Sequence, residues 1–153
     1  MPNRRTVLIG MVALPMAALF ARRAYAKKPE IFTGIVRGKA AGGYDVVAYF
    51  TEGTPVKGSP RFTMQWKGAA WDFASSANLE KFRASPEGYA PQYGGHCAYG
   101  LANGYLVKGD PQQWRIVNGR LFLNYSADVQ SRWIKDIPGY VQASDKRWPD
   151  ILK

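Results

Sequence analysis

The chain has a single cysteine and a single histidine in 153 residues. One cysteine forbids an intramolecular disulfide, and one histidine forbids a multi-histidine metal site within one chain. Cys-x-x-Cys, a Walker loop, a Gly-x-Gly-x-x-Gly opening a helix and His-Glu-x-x-His are all missing, which removes the redox, nucleotide and zinc-protease readings tied to them. Acidic residues are few, 11 against 21 lysines and arginines, and their spacing singles out no carboxylate pair. The basic residues are scattered rather than gathered in a stripe, so no nucleic-acid partner is expected.

Long apolar runs are also scarce, and the one that stands out lies at the N-terminus. Arg4 and Arg5 precede an apolar run from Val7 to Phe20, which closes on Ala24-Tyr25-Ala26. A basic start, a short apolar stretch and a small-x-small end make a signal peptide over residues 1–26, too interrupted for a spanning helix. Asn3-Arg4-Arg5-Thr6-Val7-Leu8 is of the twin-arginine type. The expectation is an exported bacterial protein of the periplasm, beginning near Lys27 and keeping no membrane span after cleavage. Removal of that peptide takes four basic residues and no acidic one, leaving a charge of +6 (21 − 4 − 11).

What is present in quantity is aromatic: five Trp, nine Tyr and seven Phe. These are large anchors for the core of one domain. Residues 27–42 mix glycine and charge with short apolar patches and read as a leader or linker, and the domain is expected over 43–152. Within it a pattern occurs twice. Thr63–Trp66 and Ala69–Phe73 alternate as strands around Lys67-Gly68, Ser75 or Ser76 offers a helix cap, Leu79 and Phe82 form an inward stripe, and Pro86 stops the helix. About 51 residues on, Arg115–Val117 and Leu121–Leu123 flank Asn118-Gly119, Ser126 caps, Val129 and Trp133 face inward, and Pro138 stops. Hairpin followed by helix, twice, predicts an α+β domain: a small antiparallel sheet from two hairpin-helix units, packed with short helices. Trp66, Trp71, Trp114 and Trp133 are expected in its core, and the tail is expected to add a short helix pinned by Trp148.

Between the units stands Gly94-Gly95-His96-Cys97-Ala98-Tyr99-Gly100. A short helix over residues 96–102 would put Cys97 at an N-terminus, where free N–H groups favour a thiolate. Soft thiolate and imidazole suit Cu(I) or another soft ion, with Asp45 or Met64 as further ligands. Adjacent residues do not face each other on regular backbone, which counts against a Cys/His catalytic dyad and makes an enzyme the third choice. The other reading makes Cys97 a packed structural residue and the domain a non-catalytic interaction module for a periplasmic partner. Asp45, alone among apolar neighbours, is either a ligand or a buried hydrogen-bond acceptor.

Three blocks carry a resemblance. Residues 43–62, residues 71–100 and Leu121–Ser126 resemble the YHS-domain proteins, in their exported bacterial branch. That resemblance implies a small module linked to heavy-metal and copper handling. Metal-linked members carry cysteines at the strand-to-helix junction, where this chain has Phe73-Ala74-Ser75-Ser76-Ala77-Asn78 and none. The thiolate site of those relatives therefore does not carry over to this chain, whose own candidate metal ligands are Cys97, His96 and Asp45.

Overall fold

The computed structural model describes residues 26–153; the expected signal peptide, but for its last residue Ala26, lies outside the described residues. The chain is an α+β fold made of one motif used twice. The first copy runs from a tight turn at Ala40–Gly43 through α1 (Ala48–Thr51), β1 (Ser59–Trp66), β2 (Ala69–Phe73), α2 (Ser76–Ala84) and α3 (Pro86–Tyr89). The second runs from a tight turn at Gln92–Gly95 through α4 (Ala98–Ala102), β3 (Asp110–Val117), β4 (Arg120–Asn124), α5 (Ala127–Trp133) and α6 (Ile137–Arg147).

Local chemistry explains each boundary. Lys67-Gly68 and Asn118-Gly119 all have positive φ, as the tight turn of a two-residue hairpin requires. Ser75 Oγ accepts the Asn78 N–H and Ser126 Oγ accepts the Val129 N–H, so both helices start where a hydroxyl satisfies an orphan donor. The expected proline stops are also restarts. Pro86 and Pro138 lie in the first turns of α3 and α6, where a missing N–H costs nothing. The C-terminal helix is accordingly longer than expected, with Asp136 as its cap.

The hairpins do not join into one sheet, as had been expected. Each is a separate two-stranded antiparallel ribbon, and irregular backbone bridges to the second strand of each. Lys39 bridges to Ala70 on β2, and Cys97 bridges to Leu123 on β4. Covering an edge in this way satisfies its backbone groups and stops further pairing.

Two hydrophobic clusters hold the fold. The first gathers Val46, Val47, Tyr49, Trp71, Phe73 and Phe82 with Leu121 and Leu123; the second gathers Tyr93, Leu101, Phe122 and Trp133. Successive residues of a strand point to opposite sides, so β4 feeds both clusters. Trp71 and Trp133 are buried as expected, while Trp66 and Trp114 are half-buried against the first cluster.

Residues 27–42 are part of the domain rather than a leader. Lys28 N–H donates to Leu152 O at 2.9 Å, Phe32 N–H donates to Gly94 O at 2.9 Å, and Ile31 is buried in the first cluster. The segment passes so close that a Cβ on Gly94 would lie 1.8 Å from Glu30 O. Patterning misses the segment because scattered buried residues, Ile31, Ala40 and Ala41, and single backbone hydrogen bonds, not a periodic face, hold it down.

Candidate functional site

Cys97 is the residue before α4 and is fully buried. Its Sγ accepts the Gly100 N–H at 3.3 Å and lies 3.7 Å from Asn124 Oδ1, to which the thiol donates. Burial pushes the thiol up from its ordinary pKa, against the opposing pull of the Gly100, Tyr125 and Tyr99 N–H groups. The helix-start position expected of Cys97 is therefore present, but the depressed pKa is not. Desolvation of the charged form is the larger effect.

Asp45 is buried too, but in the other copy of the motif. Its Oδ1 accepts N–H groups from Val47 (2.9 Å) and Ala48 (3.2 Å), and its Oδ2 accepts from Ala74 N–H (2.8 Å) and Asn78 Nδ2 (2.8 Å). With four donors in place it is a completed structural acceptor. Asp45 and Cys97 nevertheless answer to one another. Each follows a turn with two left-handed residues, Ala41-Gly42 before one and Tyr93-Gly94 before the other. Each backbone N–H donates to a valine carbonyl, Val56 O at 2.8 Å and Val107 O at 2.9 Å. Each side chain caps the short helix that follows, and each is reached by the first N–H beyond its hairpin, that of Ala74 or of Tyr125. Cys97 holds in the second copy the place of a carboxylate in the first.

His96 turns away from this place. Its Nδ1 lies 2.8 Å from Tyr93 O, so that nitrogen carries the proton and donates, since a carbonyl can only accept. Its ring packs against Phe32 and Trp148, with centroids 5.5 and 6.0 Å away. Burial lowers its pKa, partly offset by the Tyr93 carbonyl. Met64 is half-buried on β1 against the first cluster. The candidate ligands thus lie in separate surroundings. Among the described residues no group of three His, Cys, Asp or Glu side chains could hold a metal ion. The donor set therefore does not fit a copper site built within one chain: the thiol is met by N–H groups and an amide, not by a second soft donor.

What does lie over Cys97 is a shallow apolar depression of about 230 Å³, walled by Tyr99, Tyr105, Val107, Tyr125 and Val129. Tyr105 is 66% exposed and Tyr125 46%. Lys108 Nζ stands 5.5 Å from the centre of the Tyr125 ring. In the first copy Asn78 occupies the α2 position that Val129 holds on α5, and its amide fills the space beside Asp45. Val129 leaves the corresponding place apolar and open.

Residues 47–93 match the family model of the YHS domain. The chain contains a YHS domain. The match covers α1 to the start of the second tight turn, which is the first copy of the motif without its opening turn. Comparison with curated proteins and with solved structures found no match. Cys97 and the depression thus lie beyond the matched YHS segment, in the copy that departs from it.

Asn124 belongs to the site and had not been singled out. It is fully buried, and its Oδ1 accepts both the Tyr99 N–H at 3.2 Å and the Cys97 thiol. A lone asparagine closing the apolar run Leu121–Leu123 is the sequence signal that points to it, since a buried amide must find partners. Tyr125 and Tyr105 give no such signal, because only the fold brings them to one wall.

Proposed function

We propose that the protein is a non-catalytic periplasmic interaction module containing a YHS domain, which docks a partner protein through the apolar depression over Cys97. One observation carries this reading: the exposed aromatic side chains among the described residues, Tyr105 and Tyr125, stand with Val107 around an apolar hollow rather than a set of reactive groups. Exposed contiguous apolar surface is kept where something covers it, and tyrosines at such a centre carry binding energy out of proportion to their number. No nucleophile–base pair is assembled among the described residues, so the reading needs no chemistry. Among the described residues no helix is long and apolar enough to cross a membrane. The periplasmic address rests on Arg4-Arg5 and on the Ala24-Tyr25-Ala26 end.

The test is recovery of a defined partner by tagged protein expressed in its own periplasm. Wild type is expected to retain one protein in stoichiometric amount, and Tyr105→Ala and Val107→Asp to lose it by more than about tenfold in affinity while remaining folded. Equal retention by all three contradicts the reading. Mature protein is expected to begin at Lys27, and replacement of Arg4 and Arg5 by lysine is expected to leave it in the cytoplasm.

A soft-metal role is the second reading, favoured by the place of Cys97, the one thiol of the chain, beneath the depression. A chain with one such donor would share Cu(I) between two copies, each giving one thiolate. Cu(I) titration at half an equivalent per chain, lost in Cys97→Ser, is its expected signature. Equal binding by Cys97→Ser removes it.

A further inference from the structure

Asp45 and Cys97 are the hubs of the two copies, and a different kind of place lies where the copies meet. It is a groove of about 220 Å³ that shares no lining residue with the depression over Cys97. The segment before the first copy gives it Glu30, the tip of the first hairpin gives Trp66 and Lys67, α3 gives Glu87, and Trp148 follows α6. Most of this lining is fixed. Buried Ile31 and the hydrogen bond from Phe32 N–H to Gly94 O hold the backbone beside Glu30. The Trp66 ring packs on Trp71 and Phe82, with centroids 5.5 and 5.6 Å away, and the Trp148 ring lies 6.0 Å from both Tyr93 and His96. Lys67 is the exception, exposed at the hairpin turn on a flexible four-carbon stem. What the groove holds is its ammonium group. Lys67 Nζ stands 2.7 Å from Glu30 Oε1, 3.6 Å from Glu87 Oε1 and 4.7 Å from the centre of the Trp66 ring. Carboxylate oxygens accept the N–H groups of an ammonium, and the negative face of an indole attracts its charge. Two carboxylates against one ammonium leave an excess of negative charge, in a chain with 21 basic residues and 11 acidic ones.

We infer that this groove is a binding site for small primary amines in their ammonium form, with Lys67 as its built-in competitor. The incoming ammonium takes the place of Lys67 Nζ, donates to Glu30 and Glu87 and lies over the Trp66 indole. Its alkyl part is walled by Pro91 and Trp148. Lys67 turns out into water and keeps its charge there, and an exposed ion pair of this kind is worth little, so its loss opposes the exchange only weakly. The volume falls short of the pockets that take drug-sized ligands, so the ligand is an amine of a few carbon atoms. A tethered group competes as though present at millimolar concentration. The whole chain therefore binds such an amine weakly, and the full affinity of the groove shows only when Lys67 is removed.

The test is titration of the mature protein with n-butylammonium chloride, which is the lysine side chain without its backbone, followed by the indole N–H resonances of Trp66 and Trp148. Both resonances are expected to shift and saturate, beyond any effect of sodium chloride at the same ionic strength, while n-butanol leaves them in place. Lys67→Ala is expected to bind the amine about tenfold more tightly, and adding Glu30→Gln to it is expected to remove that gain. Glu87→Gln, at a side chain 81% exposed, is expected to weaken binding in the same background and serves where Glu30→Gln loosens the N-terminal segment; melting curves identify that case. Equal shifts with n-butanol would make the groove an apolar crevice and overturn the inference. Affinity in Lys67→Ala no higher than in the parent would overturn it too, because the resident ammonium would then not be holding the amine's place.

Discussion

Asp45 shows how much one side chain can hold in this fold. Asp45→Ala would leave two helix N–H groups, the Ala74 N–H and the Asn78 amide without their acceptor. Each unsatisfied buried donor costs on the order of 1–3 kcal/mol, so the substitution is expected to lower unfolding stability by more than about 3 kcal/mol in denaturant titration. His96 makes a prediction of a different kind. Its pKa is lower folded than unfolded, so between the two values the unfolded chain binds more protons and stability rises with pH. The contribution is complete above the ordinary value of 6.5 and is lost progressively as pH falls below it. In His96→Phe, which keeps an aromatic ring between Phe32 and Trp148, this acid-side loss between pH 7 and 5 is expected to flatten. An unchanged slope would mean that His96 titrates alike in the folded and unfolded chain, contradicting the lowering by burial.

At the level of elements, the two copies were legible to the extent that their residues are alike. Gly68 and Gly119 share a turn, Ser75 and Ser126 share a cap, and Phe82 and Trp133 share a buried position, so both hairpins and both following helices follow from patterning. The opening of each copy was not legible, because the backbone roles there are filled by unlike residues. Ala41 and Tyr93 both take left-handed conformations, and Asp45 and Cys97 both cap. Only the glycine pairs, Gly42-Gly43 and Gly94-Gly95, match between the two openings, and a thiol in a carboxylate's place reads as a site of its own. That is why Asp45, Cys97 and His96 looked like one constellation although they belong to two hubs and an aromatic packing position. The cap assignments are open to direct measurement. Ser75→Ala and Ser126→Ala are each expected to cost about 1 kcal/mol, and a loss well below that at either position would mean that the hydroxyl is not what starts the helix.

At the level of the molecule, the YHS-matched copy and its partner copy are not independent domains. Leu121 and Leu123 from β4 complete the first hydrophobic cluster, and Phe122 between them completes the second. A fragment ending at residue 93 therefore leaves the first cluster open, and is expected to lack cooperative unfolding, whereas the mature chain is expected to melt in one transition by fluorescence and by circular dichroism. The C-terminal helix is tied in by Arg120, whose guanidinium pairs with both oxygens of Asp145, and by Tyr93, whose hydroxyl donates to the same carboxylate at 2.8 Å. Arg120 holds the Asp145 carboxyl below the usual carboxylate range. Its contribution is present above the unfolded pKa and fades as pH falls through the folded one, so it belongs to the acid limb below about pH 4. Asp145→Asn is expected to shrink that limb and leave neutral-pH behaviour cooperative.

Thiol alkylation of the native mature protein at neutral pH separates a packed hub from a presented nucleophile or metal ligand. With Cys97 sealed beneath its wall and its thiol pushed up by burial, a maleimide is expected to label it only as fast as the chain unfolds, and labelling should become complete in denaturant. Rapid stoichiometric labelling of the folded protein would contradict the hub assignment and return Cys97 to the role of an accessible soft ligand.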